Sequence, residues 1–151
     1  MSRARIRLAT GADVARLVSL RRAWSEEWSG SVDDGDGFER AFEKWFAGEG
    51  ERRTTWIAEV GQAAVGMLNL VEFRRMPRPG ETPARWGYVA NVFVLAAHRD
   101  AGIGAQLLAA AVAEARARGY VRLVLNPSEP SVPFYERAGF RPSGLLTLPL
   151  R

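Results

Sequence analysis

The stretch V-F-V-L-A-A-H-R-D-A-G-I-G-A-Q-L-L, residues 92–108, constrains this chain more than any other. An apolar, β-branched run ends, a short loop carries Arg99, Gly102 and Gly104, and a helical pattern begins. A strand that enters a helix through a glycine-bearing turn suits an anion. The first helical turn has amide N–H groups without acceptors and a partial positive charge. Glycines let the backbone approach a bulky diphosphate without a Cβ in the way. Arg99 adds a full positive charge, and Asp100 stands where it can cap the helix. Two common phosphate loops are excluded. No G-x-x-x-x-G-K-[ST] string occurs, and G-x-G-x-x-G would need glycine at the position of Leu107.

The rest of the chain alternates strands and helices. Residues 3–9 alternate arginine with apolar residues, as an edge strand does, and Thr10 is placed to cap a helix running to about residue 28. Gly, Ser and Asp dominate a loop over 29–37. Phe38, Phe42, Trp45 and Phe46 recur at helical spacing up to Gly48 and Gly50. The period then switches. Strands are predicted at 54–60 and 63–73, joined by Gly61-Gln62 in a type II′ turn, and a proline-bearing loop follows over 74–85. A strand at 86–95, a helix from about Gly102 to Gly119 and a strand at 120–125 form a crossover, which is right-handed and therefore parallel. A short helix at 131–138 and a closing strand at 145–150 complete a mixed α/β sheet with helices on both faces. The length, 151 residues, fits a single domain over 1–151.

Composition removes whole classes of chemistry. There is no cysteine, so disulfides, thiol nucleophiles and cysteine metal sites are out. His98 is the only histidine; it reads as a loop residue, and a Ser–His–Asp triad has no other base. No apolar run approaches a membrane span, and no apolar segment follows the basic N-terminus, so the expected location is the cytoplasm. The net charge of +4 hints at nucleic acid, but 20 of the 21 bases are arginine and no Lys-rich stripe or recognised motif occurs, so no nucleic-acid partner is expected. With abundant Ala and Gly, this is the composition of a GC-rich, bacterial-type genome. Residues 26–51 hold nine acids and two bases, a net charge of −7. Beside a basic remainder, such a lobe suggests two ligand charges of opposite sign.

Arg99-x-x-Gly102-x-Gly104 after a strand resembles the [RQ]-x-x-G-x-[GA] signature of the GCN5-related N-acetyltransferases, the GNAT superfamily. The V-x-N-V-F-V run before it is similar to that family's central strand, and P-F-Y-E-R-A-G-F (133–140) to its tyrosine-bearing element. The resemblance covers nearly the whole chain. It implies a mostly antiparallel sheet with a splayed pair of parallel strands. It also implies acetyl-CoA as co-substrate, with no metal. The pyrophosphate would rest on amides of Arg99, Asp100, Ala101, Gly102, Ile103, Gly104 and Ala105. Pantetheine would lie along Val92, Phe93 and Val94 in the splay, with an N–H near Val94 polarising the thioester carbonyl. Tyr135 would protonate the departing thiolate. Asn126 or Ser128 would contact pantetheine, and the two stay open. Asp100 departs from the family's frequent glycine, and Ala96 from its frequent proline.

The resemblance implies direct transfer to a primary amine of a small molecule or peptide, without an acyl-enzyme. Since the first helices and their joining loop form the acceptor wall in that family, the −7 segment favours a cationic acceptor. A non-catalytic acyl-CoA-binding module of the same fold is the alternative. An amine attacks a thioester only when neutral, so a base is desirable. Glu72, Glu26 and Glu27 are candidates, or a water ordered by Asn91 or Tyr88. Trp24, Trp28, Trp45 and Trp86 are candidates to line the acceptor pocket. The strand at 145–150 could pair across a homodimer.

Overall fold

The computed structural model describes residues 3–30 and 37–151. In chain order the elements are β1 (Arg5–Leu8), a 3-10 turn (Gly11–Asp13), α1 (Val14–Ser29), α2 (Phe38–Glu49), β2 (Arg53–Val60), β3 (Ala63–Arg74), β4 (Arg85–Val94), α3 (Ile103–Ala117), β5 (Leu123–Val124) and α4 (Val132–Arg137). The sheet order is β1-β2-β3-β4-β5. All pairings are antiparallel except β4 with β5, which is parallel, as the crossover required. The β2–β3 turn has left-handed Gly61 (φ +62°) and a Gln62 that is not left-handed, the II′ pattern. Most of the predicted loop, 31–36, lies outside the described residues.

Alternation along the strands splits the core into two layers. Trp56, Ala58, Leu68, Leu70 and Val89 face α3, with Leu107, Leu108, Ala111 and Ala115 packed on them. Ile57, Met67 and Phe93 point the other way, against Leu17 and Leu20 of α1. Neighbours on one strand thus serve opposite helices, which is what period-2 geometry imposes. Gly87 is needed where β5 joins: a Cβ there would lie 2.8 Å from the side chains of Leu123 and Leu70.

Thr10 and Asp13 form the entry to α1. The Ala12 N–H donates to the Thr10 hydroxyl at 3.3 Å, and the Thr10 N–H to Asp13 Oδ2 at 2.8 Å, a capping box. Asp13 is buried and accepts from Arg7 Nη1 and Nη2 at 2.8 and 2.7 Å. Arg7 also binds Glu59 on β2, through its Nε. Hydrogen bonds from Arg7 outweigh the opposing effect of burial and hold the Asp13 carboxyl at about 2. A carboxyl held low stabilises the fold above its unfolded pKa near 4, and that gain fades as pH falls toward 2. Asp13→Asn should therefore cost about 2 kcal/mol at pH 7. In urea unfolding the variant should also lose part of the acid slope between pH 4 and 2. An unchanged slope would remove Asp13 from the account.

Two strand predictions need correction. The strand at 120–125 pairs only through Gly87↔Leu123 and Tyr88↔Val124. Its first residues leave the regular ladder: the Tyr120 N–H donates back to Ala115 O of α3, and the Val121 N–H reaches Arg85 O at the start of β4 out of register with Gly87↔Leu123. The segment 145–150 forms no strand at all. Leu145, Leu146, Leu148 and Leu150 are 79% to 99% exposed, so the segment has an apolar composition without a partner edge in its own chain. Periodicity reports a capacity to pair, and pairing also needs an edge within reach.

Candidate active site

The site begins at a bulge in β4. Ala90 faces Asn69 and Phe93 faces Met67, so Asn91 and Val92 together oppose Leu68. Asn91 absorbs the extra residue in the left-handed region, at φ +54°. Beyond Tyr88, β4 runs on to Val94 while β5 has already ended, so the parallel pair is splayed and that edge of β4 faces no strand. Val92, Phe93 and Val94 lie on the unpaired stretch.

After β4 the chain makes a 3-10 turn over Ala96–His98. The His98 N–H donates to Leu95 O and the Arg99 N–H to Ala96 O. Asp100 (φ +62°) and Gly102 (φ +81°) are both left-handed, which explains why glycine suits the first position and shows that aspartate can hold it. Gly102 is the N-cap of α3 and no side chain caps this end, so the expected capping by Asp100 does not form. The first residue to donate along the helix is Gln106, to Gly102 O at 3.0 Å. Among the described residues, the amides of Asp100, Ala101, Gly102, Ile103, Gly104 and Ala105 therefore have no acceptor. The Arg99 amide, expected to join them, is taken by Ala96 O. The buried Ile103 side chain anchors the turn from below, and a Cβ on Gly104 would touch the Phe134 ring at 3.4 Å. A row of free N–H groups at a helix N-terminus fits a diphosphate in kind and in charge.

The Arg99 guanidinium turns away from this row. Its Nε donates to Val94 O at 3.0 Å, and Nη1 and Nη2 each reach the Glu27 carboxylate at 2.6 Å. These bonds hold the Glu27 carboxyl below its usual value, which makes it a poor base. The pair pins α1 to the end of β4. Glu26 is exposed and takes no part in the cavity described next.

Tyr135 sits on α4, buried, with edge-to-face contacts to Phe134 and Phe140 at 4.9 and 5.8 Å. Val94, which ends β4, and Leu125, which follows β5, pack against the cluster that contains Tyr135. Burial pushes its hydroxyl above the ordinary tyrosine value, so the O–H stays protonated at neutral pH. Ser128 caps the turn into α4, and its hydroxyl donates to Ser131 Oγ at 3.0 Å. Asn126 is exposed, and its side chain has no protein partner among the described residues.

On the other side of the bulge lies a cavity of about 180 Å³. Leu17 and Arg21 of α1, Phe38, Phe42, Trp45 and Phe46 of α2, and Thr55, Met67, Asn69 and Asn91 of the sheet line it. Its floor is a polar chain. Thr55 Oγ1 donates to Asn69 Oδ1 at 2.5 Å, while Asn69 Nδ2 (3.4 Å) and Arg53 Nη1 (3.2 Å) donate to Asn91 Oδ1. Asn91 thus lines this cavity. Of the four tryptophans only Trp45 lines the cavity. Trp24 stacks on Phe93, Trp86 stacks on Phe73, and Trp28 is 83% exposed. Glu72 lies in a neighbouring cleft, bound by Tyr120, Arg74 and Arg85. Burial works to raise its carboxyl, but these partners outweigh burial and leave it below the usual value. No carboxylate lines the cavity among the described residues; of the nine acids in residues 26–51, Asp33, Asp34 and Asp36 lie outside the described residues. The missed residues had a signal: α2 carries four aromatics yet buries no residue, and Thr55 and Asn69 are polar positions facing each other within apolar strands.

A splayed parallel pair with an amide-lined turn at its mouth is the architecture of an acyl-CoA-dependent acetyltransferase fold. The family model for the Acetyltransferase (GNAT) family matches residues 17–140, and the chain belongs to that family. A glucosamine 6-phosphate N-acetyltransferase from Trypanosoma brucei brucei is 38% identical over 77 residues, 51% of this chain and 50% of that one; the chain spans about half the length of this curated relative. A predicted acetyltransferase from Clostridium acetobutylicum, solved with acetyl-CoA, superposes with a TM-score of 0.79 at 24% identity, over 98% of this chain and 97% of that one. A GCN5-related N-acetyltransferase from Ralstonia eutropha JMP134 gives 0.76 at 25% identity, over 98% and 99%.

Proposed function

We propose that this chain, as a single domain over 1–151 acting in the cytoplasm, transfers an acetyl group from acetyl-CoA directly to a primary amine of a small molecule or peptide. The observation that carries this reading is the row of acceptor-less amides from Asp100 to Ala105 beside the place where β4 and β5 part. Acetyl-CoA supplies the acyl thioester. Those amides hold its diphosphate, and the unpaired edge over Val92, Phe93 and Val94 aligns pantetheine. Asn126 is the better candidate for the further pantetheine contact, because Ser128 is already engaged with Ser131. An N–H near Val94 polarises the thioester carbonyl as an oxyanion-hole donor. Tyr135 supplies a proton to the leaving sulfur. The amine enters from the aromatic cavity. With Glu72 and Glu27 both bound to arginines, a water held at Asn91 is the favoured proton acceptor.

Release of CoA thiol from acetyl-CoA in the presence of an amine panel tests this reading. The panel includes glucosamine 6-phosphate, the substrate named for the trypanosomal relative. Amine-dependent release supports transfer. Tight acetyl-CoA binding with no release across the panel favours the non-catalytic binding module instead.

The exposed leucines of 145–150 support pairing of two copies through this segment. Leu146→Asp with Leu148→Asp should then shift the protein from dimer to monomer in light scattering. A wild-type monomer at the same concentration would contradict the pairing.

A further inference from the structure

We infer that the acceptor carries an anionic group, a carboxylate or a phosphate, beside its amine, and that Arg21 is the residue that selects it. The inference rests on the transferase reading and deepens it.

Arg21 differs from the arginines around it. Arg7 and Arg16 bind Asp13 and Glu59, Arg53 binds Glu49, and Arg99 binds Glu27. Arg21 lines the cavity and has no carboxylate partner among the described residues. Its contact is with Trp24: the guanidinium carbon lies 4.6 Å from the indole centroid, and Trp24 stacks in turn on Phe93 of β4 at 5.6 Å and 11°. A guanidinium laid on a ring keeps its N–H edge free for in-plane, bidentate bonding to an oxyanion. The stack therefore presents Arg21 from the same strand that carries the bulge.

The rest of the lining agrees. It offers aromatic faces, the amide of Asn91 with its Nδ2 free of protein partners, and no carboxylate among the described residues. Among the described residues, a purely cationic amine would meet Arg21 with no lining carboxylate to offset the repulsion. An amine carrying its own anion would place that anion on Arg21 and its nitrogen toward Asn91 at the bulge.

The test uses the whole protein and two matched amine pairs: phenethylamine with L-phenylalanine, and ethanolamine with O-phosphoethanolamine. CoA release should show kcat/KM about tenfold or more higher for at least one anion-bearing member over its partner without the anion. The pair that responds identifies carboxylate or phosphate. Arg21→Ala should raise KM for that member by roughly 10- to 100-fold, with the anion-free amine within about twofold, and Arg21→Lys should recover part of the loss. Anion-free members used as well as their partners, or an Arg21→Ala effect shared by both members of a pair, would overturn the assignment. Tryptophan fluorescence supplies a readout without turnover. N-acetyl-L-phenylalanine should bind more tightly than N-acetylphenethylamine, and the difference should vanish in Arg21→Ala. That difference in the wild-type protein, lost in Arg21→Ala, with no CoA release from any amine would sink the transferase reading and leave the anion site standing. Its absence together with no release would sink both.

Discussion

Placing a glutamate at Ala105 should weaken CoA binding by about two orders of magnitude while leaving the fold at least as stable as before. Ala105 is exposed in the first turn of α3, where its amide is among those without an acceptor. A carboxylate in that turn favours the helix, because it faces the positive end of the helix dipole. The same carboxylate stands beside the proposed diphosphate. Like charges about 5 Å apart near a protein surface repel by roughly 3 kcal/mol, which corresponds to about a hundredfold in affinity. The two effects have opposite signs, so loss of binding cannot be ascribed to unfolding. Calorimetry for CoA, paired with thermal melts, checks both. A variant that binds CoA as the wild type does would move the diphosphate away from α3.

Tyr135→Phe should lower kcat by roughly 100-fold or more and leave acetyl-CoA affinity within about twofold. The substitution keeps the ring that packs on Phe134 and Phe140 and removes only the hydroxyl. Burial raises the Tyr135 pKa above the ordinary tyrosine value, so the donor stays protonated at neutral and mildly alkaline pH and the wild-type rate should not fall from this group there. Above its raised pKa the proton is gone and the wild-type rate should fall, whereas the phenylalanine variant should show no such limb. A variant with near wild-type kcat would make Tyr135 a packing residue.

How much of this was legible in the sequence varied with the physics of each element. The strand–turn–helix over 92–108 was readable because glycine positions and helical spacing are local properties. The β4 bulge was not legible: asparagine is among the residues that tolerate the left-handed region, but only the register against Leu68 places the extra residue at Asn91. Arg99 was correctly placed near the turn, but its charge went to Glu27, a partner many residues away in the chain. The distant partners of Glu72 are equally out of reach of local reading, since Arg85 and Tyr120 converge on it together with Arg74. The tryptophans divided by helix geometry: Trp24 and Trp28 share α1, yet one stacks on Phe93 and the other faces solvent. The leucines of 145–150 were read as a strand because composition carries no information about whether an edge is near.

Hydrogen exchange at the amides of the α3 entry tests the central claim most directly. Addition of CoA should slow exchange at Asp100 through Ala105, and pantetheine, which lacks the diphosphate, should leave those same amides unprotected. Unchanged exchange in that segment at saturating CoA, or equal protection by pantetheine, would contradict it.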